Sequence, residues 1–419
     1  MSGLRKKHLV RPFAALRPIP DLAQEVVAPP YDVVNTEEAI ALAKDKPWSF
    51  LHISKPEIDL PTGIDAFSDE VYAKAQENIN RMIEGGILRL DQDDYYYIYR
   101  VQMGDHVQTG VVGAGSVEAY DTKLIRRHEF TRPDKETDRV RQIDAVNAQT
   151  GPVFTTHKPS DLLQEVIERT VTGAADYHVI GEGKVEHTLW VVSEPIDIKR
   201  ITEGFDRLGV IYIADGHHRS AAASRVAAAR NKMKNNPTGN ELYDSFLIVS
   251  FPESEVKIYD YNRVVKDLNG LSETTLLGKI NEAFEVVAQD EAAKPEARNH
   301  FGMYLAGKWY ALEIKEPAPR AGSLVDQLDI SILTARLLEP ILAIGDPRVD
   351  PRIDFIGGIR GMAELERLVD SGNWAVAFAI FPTSMADLMA VADAEEVMPP
   401  KSTWFEPKLA DGMVSLVLT

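Results

Sequence analysis

Alternating and periodic hydrophobic positions run through most of the chain and predict both strands and amphipathic helices. Two strand-like runs, at 95–103 and 107–112, are separated by a turn with a Gly-Asp pair and predict an antiparallel hairpin. A helical period over 68–83 has two acidic residues in its first turn and two glycines beyond its end, which are start and stop signals of a helix. Asn35 and Glu38 have the spacing of a capping box and predict the start of another helix.

The later part of the chain continues this mixture of elements. The predicted elements there are helices over 216–232, 273–284 and 324–342 and strands over 256–261, 301–305 and 309–314. The last two strands flank Gly307 and predict a hairpin. Because helices alternate with strands while several neighbouring strands pair as hairpins, we predict an α+β or mixed α/β fold with mixed sheets.

The most informative polar positions follow an apolar, strand-like run at 211–214. They are Asp215, Gly216, His217, His218 and Arg219. We call residues 215–219 the DGHHR turn after their one-letter codes. An alanine-rich helix is predicted to begin within this turn. The first N–H groups of a helix lack partners inside it and carry partial positive charge, so such a turn favours phosphate.

Two side chains of the DGHHR turn add to this chemistry. Arg219 supplies a planar fork suited to phosphate oxygens, and Asp215 supplies a carboxylate for Mg²⁺ or a proton. We therefore interpret the turn as a functional site that binds phosphate. The alternative is an ordinary strand-to-helix junction in which the aspartate caps the helix and the histidines and arginine are solvated.

Two adjacent histidines beside an aspartate also raise a metal site as an alternative. Adjacent side chains on an extended segment point to opposite sides, so His217 and His218 rarely bind one ion. A zinc site normally needs three protein ligands, whereas Mg²⁺ carried by a nucleotide needs only one or two carboxylates. We favour nucleotide-borne Mg²⁺ at Asp215 over a transition-metal centre that would also use His128.

A second polar cluster surrounds Glu129. Its neighbours include His128, Arg132 and Lys135, and basic groups here would keep the carboxylate ionised and attract phosphate. Glu129 is therefore a candidate general base toward a substrate hydroxyl. The mixed charges and Pro133 argue against a regular helix, and the alternative is a solvated segment of alternating charge.

Three further candidate residues occur later in the chain. Arg263 lies in a polar stretch whose alternative interpretation is a strand leading into a capped turn. Lys401 and Ser402 lie in a tail rich in proline and aromatic residues. We expect this tail to dock on the core through Trp404 and Phe405, to supply Lys401 and Ser402 to a phosphate site, or to do both.

Composition narrows the class of protein. The 419 residues include 46 basic and 64 acidic side chains, and the net charge of −18 disfavours direct binding to DNA or to anionic membranes. The sequence has no cysteine, which excludes thiolate catalysis and disulfides formed by this chain. Its longest apolar run is too short to span a bilayer, so we expect a soluble cytoplasmic protein.

Several segments together resemble one bacterial and archaeal family, the domain of unknown function DUF 1015. They are residues 28–34, 128–135, 215–219, 261–263 and 399–408. More distantly, a His-Glu pair followed by the DGHHR turn resembles the ParB/sulfiredoxin-like fold and the free-serine kinases built on it. This resemblance implies that Glu129 is the base and that residues 216–219 hold nucleotide phosphates. It also implies that Asp215 positions Mg²⁺ or substrate.

The resemblance implies a ParB/sulfiredoxin-like core at 120–290, with α/β elaborations at 1–119 and 291–419 and the tail docked on the core. It implies a phosphotransferase that uses ATP or ADP with Mg²⁺ and acts on a small hydroxylated metabolite, with free serine as the first candidate. One alternative is a nucleotide-binding sensor of ParB-like fold without catalysis. The other is a metal-dependent hydrolase.

Overall fold

Two compact units make up the chain in this computed structural model, which describes residues 8–234, 237–316 and 322–419. The first unit combines Met1–Val256 with Pro407–Thr419, and the second is Lys257–Glu406. In sequence, the second unit is therefore an insertion into the first. The division into 1–119, 120–290 and 291–419 stays a prediction, and the large sheet of the first unit contains strands from both sides of residue 120.

A mixed sheet dominates the first unit and includes nine strands among the described residues. Eight of them lie, in spatial order, at Ile125–Arg126, Ile211–Asp215, Val153–His157, Ser245–Pro252, His106–Ser116, Tyr96–Met103, Glu186–Val192 and Tyr177–Ile180. The ninth, Val10–Arg11, pairs with His106–Ser116. The strand Ile211–Asp215 is parallel to one neighbour and antiparallel to the other, so the predicted mixed α/β class is confirmed.

A smaller antiparallel sheet in the same unit includes the end of the chain. Its strands, in order, are Leu88–Leu90, Ala15–Pro18, Ser415–Val417 and Ala148–Gln149. The α-helices of the first unit are Ala23–Val26, Thr36–Ala43, Leu51–Ser54, Asp69–Glu84, Val117–Asp121, Pro133–Val146, Asp161–Thr170, Pro195–Leu208 and His217–Met233. The capping box at Asn35 and Glu38 is confirmed, because each side chain accepts a hydrogen bond from the other residue's backbone N–H.

The second unit has its own six-stranded sheet. The strands lie, in order, at Phe284–Gln289, Lys308–Ile314, His300–Leu305, Val376–Ile380, Tyr261–Val265 and Ile353–Gly357. The α-helices of this unit are Glu273–Ala283, Asp329–Leu333, Met362–Asp370 and Met385–Asp393. The predicted hairpin around Gly307 is confirmed, and a two-stranded ladder joins Ile258–Tyr259 to Trp404–Phe405.

Two predicted elements of this second unit are wrong. The long helix predicted over 324–342 is divided into a 3-10 turn, Val325–Gln327, a short α-helix and a π-helical turn, Thr334–Leu338. The backbone of Leu328 is extended, with a ψ of 139°, so the helical period is broken there. The strand predicted over 256–261 is two separate strands, Ile258–Tyr259 and Tyr261–Val265.

One helix in the first unit contradicts the sequence interpretation. Pro133–Val146 is a regular α-helix, although Pro133 and the mixed charges argued against one. Proline is favoured in the first helical turn because its missing N–H needs no partner there. Asn147 ends the helix in the left-handed conformation, with a φ of 50°. Proline was thus a start signal and not a break.

Candidate functional site

The DGHHR turn joins a buried strand to a partly buried helix, and the predicted strand–turn–helix order is present. Gly216 has a φ of 95°, in the left-handed region that favours glycine. A Cβ at this position would lie 3.3 Å from both the Cα of Val153 and the Cζ of Arg219. The first intrahelical bonds are donated by the N–H groups of Arg219 and Ser220 to the Gly216 carbonyl. The N–H groups before them belong to the helix start that favours anions.

Asp215 is held at both carboxylate oxygens. Oδ1 accepts the N–H of Gly216 at 2.7 Å, and Oδ2 lies 2.9 Å from the Nζ of Lys408. Burial opposes ionisation, but the charges of Lys408 and Arg219 outweigh it and hold the pKa of Asp215 well below its usual range. A Mg²⁺ ion at Oδ2 would be repelled by the Lys408 ammonium. This arrangement therefore does not fit Asp215 as a Mg²⁺ ligand.

Arg219 connects the turn to two other segments. Its Nη2 donates to Oδ2 of Asp32 at 3.2 Å, and its Nη1 donates to the carbonyl of Pro152. Burial opposes the charge, but Asp32 and Asp215 hold the pKa of Arg219 above its usual value. The guanidinium is therefore a permanent positive charge beside the helix start.

Asp411 is a buried acid next to Arg219. A Cβ on Gly151 would lie 3.3 Å from Oδ1 of Asp411 and 3.4 Å from Cδ of Arg219, so the two side chains face the same glycine. Burial raises the pKa of Asp411 to about 7, and the positive charge of Arg219 only partly offsets this effect. Asp411 is thus a group that titrates near neutral pH.

The predicted His-Glu pair lies against the DGHHR turn. The rings of His128 and His217 meet edge to face with centroids 4.6 Å apart, and Oε2 of Glu129 lies 3.8 Å from Nδ1 of His217. Burial lowers the pKa of His128 to about 4 and that of His217 well below its usual value, so both rings are neutral at pH 7. In the described part of the chain, Nε2 of His217 has no hydrogen-bond partner.

His218 contacts a different residue of the segment 128–135, which contains the His-Glu pair. Its Nε2 accepts the backbone N–H of Arg132 at 3.0 Å. The Arg132 side chain pairs with Asp134 at 2.8 Å, and the Nζ of Lys135 lies 5.6 Å from the centre of the Phe67 ring. The two histidines of the turn therefore have different neighbours, which disfavours one metal ion shared between them.

Arg263, Lys401 and Ser402 belong to the second unit and lie together there. The Arg263 guanidinium donates to the carbonyls of Tyr261 and Lys401, the latter at 2.8 Å. Burial lowers the pKa of Arg263 to about 9. Ser402 Oγ donates to the Pro399 carbonyl at 2.7 Å, and Lys401 Nζ lies 5.6 Å from the Tyr261 ring centre. A role for Lys401 and Ser402 in phosphate binding stays a prediction, as does Arg263 as a further candidate site residue.

Sequence reasoning missed three residues that contact or adjoin the turn. They are Asp32, Lys408 and Asp411, which come from segments far from residue 215 in sequence. Asp32 lies in the 28–34 segment and Lys408 in the 399–408 segment, both of which carried the family resemblance. Charged residues in segments that carry a family resemblance are candidates for a functional site. Their partners depend on the sheet topology and cannot be read from the sequence.

Two absences apply to residues 8–234, 237–316 and 322–419. No three histidine, aspartate or glutamate side chains there are grouped so as to hold a metal ion. No helix within the same ranges has both the length and the apolar character needed to cross a bilayer.

The fold and the site together define a mixed α/β protein with a strand–glycine–helix turn that presents aspartate, histidine and arginine. The chain belongs to the family described as "Protein of unknown function (DUF1015)", whose model matches residues 10–331. This confirms the family that the sequence motifs predicted. No curated protein matches the chain in sequence.

Several solved structures show a distant likeness to this chain, among them three with the following values. A free serine kinase in complex with AMP is 15% identical in sequence, with a TM-score of 0.35, and the match covers 71% of this chain and 86% of the kinase chain. A conserved hypothetical protein from Pyrococcus furiosus is 13% identical, with a TM-score of 0.34, and the match covers 73% of this chain and 94% of that protein. SbnI with a C-terminal truncation from Staphylococcus aureus is 11% identical, with a TM-score of 0.38, and the match covers 73% of this chain and 87% of SbnI.

Proposed function

We propose that this protein is a nucleotide-dependent phosphotransferase that phosphorylates the hydroxyl of a small metabolite. ATP or ADP is the proposed donor, and free serine is the first candidate acceptor. The observation that carries the proposal is the 3.8 Å approach of the Glu129 carboxylate to His217, the first residue of the helix that carries Arg219. A potential base and a potential phosphate site thus meet at one turn.

Phosphate binding is supported by the chemistry of the helix start. Its leading N–H groups attract anions, and the Arg219 guanidinium adds a fixed positive charge. The neutral ring of His217 supplies a hydrogen-bonding nitrogen without a partner among the described residues. In phosphoryl transfer, most of the catalytic effect comes from positioning and charge neutralisation, and these groups suit that task.

Glu129 is the proposed base. Its side chain is 38% exposed and lies beside a neutral histidine, so it is accessible to a substrate hydroxyl. In the proposed step, the acceptor oxygen bonds to the terminal phosphorus and the bond from that phosphorus to the nucleotide oxygen breaks. The hydroxyl proton passes to Glu129, and the nucleotide leaves with the electron pair. Because Asp215 does not fit a Mg²⁺ ligand, no step is assigned to Mg²⁺ there.

The test is a transfer assay with purified protein, ATP or ADP, Mg²⁺ in the buffer, and a panel of amino acids and polyols. We expect a phosphorylated product from the wild type and a loss of about 100-fold or more in Glu129→Gln, with nucleotide affinity retained. Glu84→Gln, at the exposed end of the helix Asp69–Glu84, is the control and should transfer like wild type.

Two outcomes would contradict the proposal. Transfer to none of the acceptors would do so, and so would equal transfer by Glu129→Gln and wild type. Tight nucleotide binding without any transfer would select the alternative, a nucleotide-binding sensor.

A further inference from the structure

Lys408 is brought to the DGHHR turn from the far end of the chain. Its Nζ lies 2.9 Å from Oδ2 of Asp215, a residue 193 positions earlier. The side chains of Lys408 and Asp215 are 20% and 31% exposed, so the pair is accessible to solvent. Because Asp215 directly precedes Gly216, this ammonium lies beside the start of the helix.

The backbone that follows Lys408 is fixed by the fold of the first unit. The N–H of Ala410 donates to the Tyr99 hydroxyl at 3.2 Å. Asp411 and Ala28 exchange two backbone hydrogen bonds, at 3.0 and 3.1 Å. Lys408 is therefore held close to the turn before any ligand arrives.

The negative charge of Asp215 opposes anion binding at the turn, and the positive charge of Lys408 offsets it. An ionised carboxylate next to Gly216 repels an anion at the helix start. The ammonium of Lys408 neutralises that carboxylate, as Asp32 already offsets the charge of Arg219, so the partial charges of the helix start remain to attract phosphate. Without Lys408, the same turn would hold a negative charge at the position where the proposed phosphate binds.

A histidine of the turn independently points to a ligand. His217 is 5% exposed, and its Nε2 has no hydrogen-bond partner among the described residues. Buried polar groups in folded proteins are normally hydrogen-bonded, so this nitrogen calls for a bound molecule or water.

We propose that Lys408 is a positioning residue of this site and completes it for the di- or triphosphate group of a nucleotide. This inference rests on the proposed function, since it takes the DGHHR turn as the phosphate site. Lys408 acts through Asp215 by keeping that carboxylate neutralised while an anion occupies the helix start. The chemical class of the ligand is a polyphosphate, which inorganic pyrophosphate represents without the nucleoside.

The experiment measures pyrophosphate affinity by titration calorimetry. We expect Lys408→Met to bind about tenfold more weakly than wild type, and Lys408→Arg to stay within about threefold, because the charge is retained. Lys234→Met is the matched control. Lys234 also pairs with a carboxylate, Glu241, but it follows the opposite end of the helix His217–Met233 and should have no effect. Thermal unfolding of each variant verifies that it folds.

A double variant separates the proposed role from a purely structural one. If Lys408 acts by neutralising Asp215, adding Asp215→Asn to Lys408→Met should recover most of the lost affinity, because the repelling charge is gone. A structural ion pair predicts no recovery, and that result would overturn the inference.

Equal pyrophosphate affinity in wild type and Lys408→Met would also overturn it, as would a wild type that does not bind pyrophosphate. The proposed function fails separately. Absence of phosphoryl transfer, with the Lys408 effect on pyrophosphate intact, would contradict only the kinase assignment.

Discussion

The Nη2 of Arg219 donates to Oδ2 of Asp32 over 3.2 Å, which joins the DGHHR turn to a segment 187 residues earlier. The same guanidinium donates to the Pro152 carbonyl from its other terminal nitrogen. One planar side chain thus contacts two separate segments, and lysine cannot reproduce that fork.

Arg219→Lys should therefore destabilise the first unit by about 1.5–3 kcal/mol, the range for hydrogen bonds to charged groups. Urea unfolding measures the change. The control is Arg132→Lys, because the pair of Arg132 with Asp134 is 62% and 59% exposed and such pairs contribute less than about 1 kcal/mol. Equal effects of the two substitutions would argue against a structural role for the fork.

His128 should make the protein less stable in mild acid. Its folded-state pKa of about 4 lies below the unfolded value near 6.5, so both states are neutral above pH 6.5. As the pH falls from 6.5 toward 4, the unfolded state takes up a proton that the buried ring does not. Stability is lost over this window, by about 2 kcal/mol between pH 7 and pH 5.

The measurement is the free energy of unfolding at pH 7 and pH 5 for wild type and His128→Phe. The variant should lose about 2 kcal/mol less on acidification, because it lacks this proton-binding group. His178→Phe, at an exposed position on a strand, is the control. An unchanged pH dependence in His128→Phe would show that the ring is solvated or already protonated in the folded protein.

Asp411 should have the opposite pH dependence. Its folded pKa of about 7 lies above the unfolded value near 3.9, so its contribution is favourable at low pH and is lost as the pH rises through 7. Asp411→Asn should therefore stabilise the protein at pH 8, by up to about 4 kcal/mol, and change little near pH 4.

Thermal or urea unfolding at both pH values tests this prediction for Asp411. Asp105→Asn, in the exposed turn between two strands, should show no such pH-dependent gain. Destabilisation of Asp411→Asn at pH 8 would mean that the carboxylate is ionised and pairs productively with Arg219.

Gly412 should be among the least tolerant positions near the tail. Its φ is 85°, and an added Cβ would lie 2.8 Å from the Phe50 ring. Gly412→Ala combines a strained backbone with a steric clash and should cost about 2–4 kcal/mol. Gly104→Ala is the matched control, because Gly104 has a φ of 58° but nothing within 4 Å of the new carbon, and it should cost about 1 kcal/mol. Similar losses at both glycines, measured by urea unfolding, would exclude the clash.

Local features of the site were accessible from the sequence alone. The apolar run before Gly216 and the alanines after it predict the strand, the turn and the helix start. The family resemblance implied that Glu129 acts as the base at this turn, and its carboxylate lies 3.8 Å from Nδ1 of His217. Predictions of this kind succeed where short-range periodicity and turn chemistry determine the backbone.

The remaining features depend on contacts between distant segments. The partners of Arg219 and Asp215, namely Asp32 and Lys408, are brought in by the backbone bridge at Ala28 and by the small sheet that includes Ser415–Val417. No local period reports such pairing. The helix predicted over 324–342 is wrong because the sequence pattern was misleading there. The apolar residues keep a helical spacing although the backbone of Leu328 is extended.

The ion pair between Asp215 and Lys408 also has a consequence for biosynthesis. Translation proceeds from the amino terminus, so the turn is made long before its lysine, and all of Lys257–Glu406 is synthesised in between. A nascent chain that stops within this insertion carries the aspartate without its counter-charge. Lys408, the partner of Asp215, is therefore synthesised only after the entire second unit has been made.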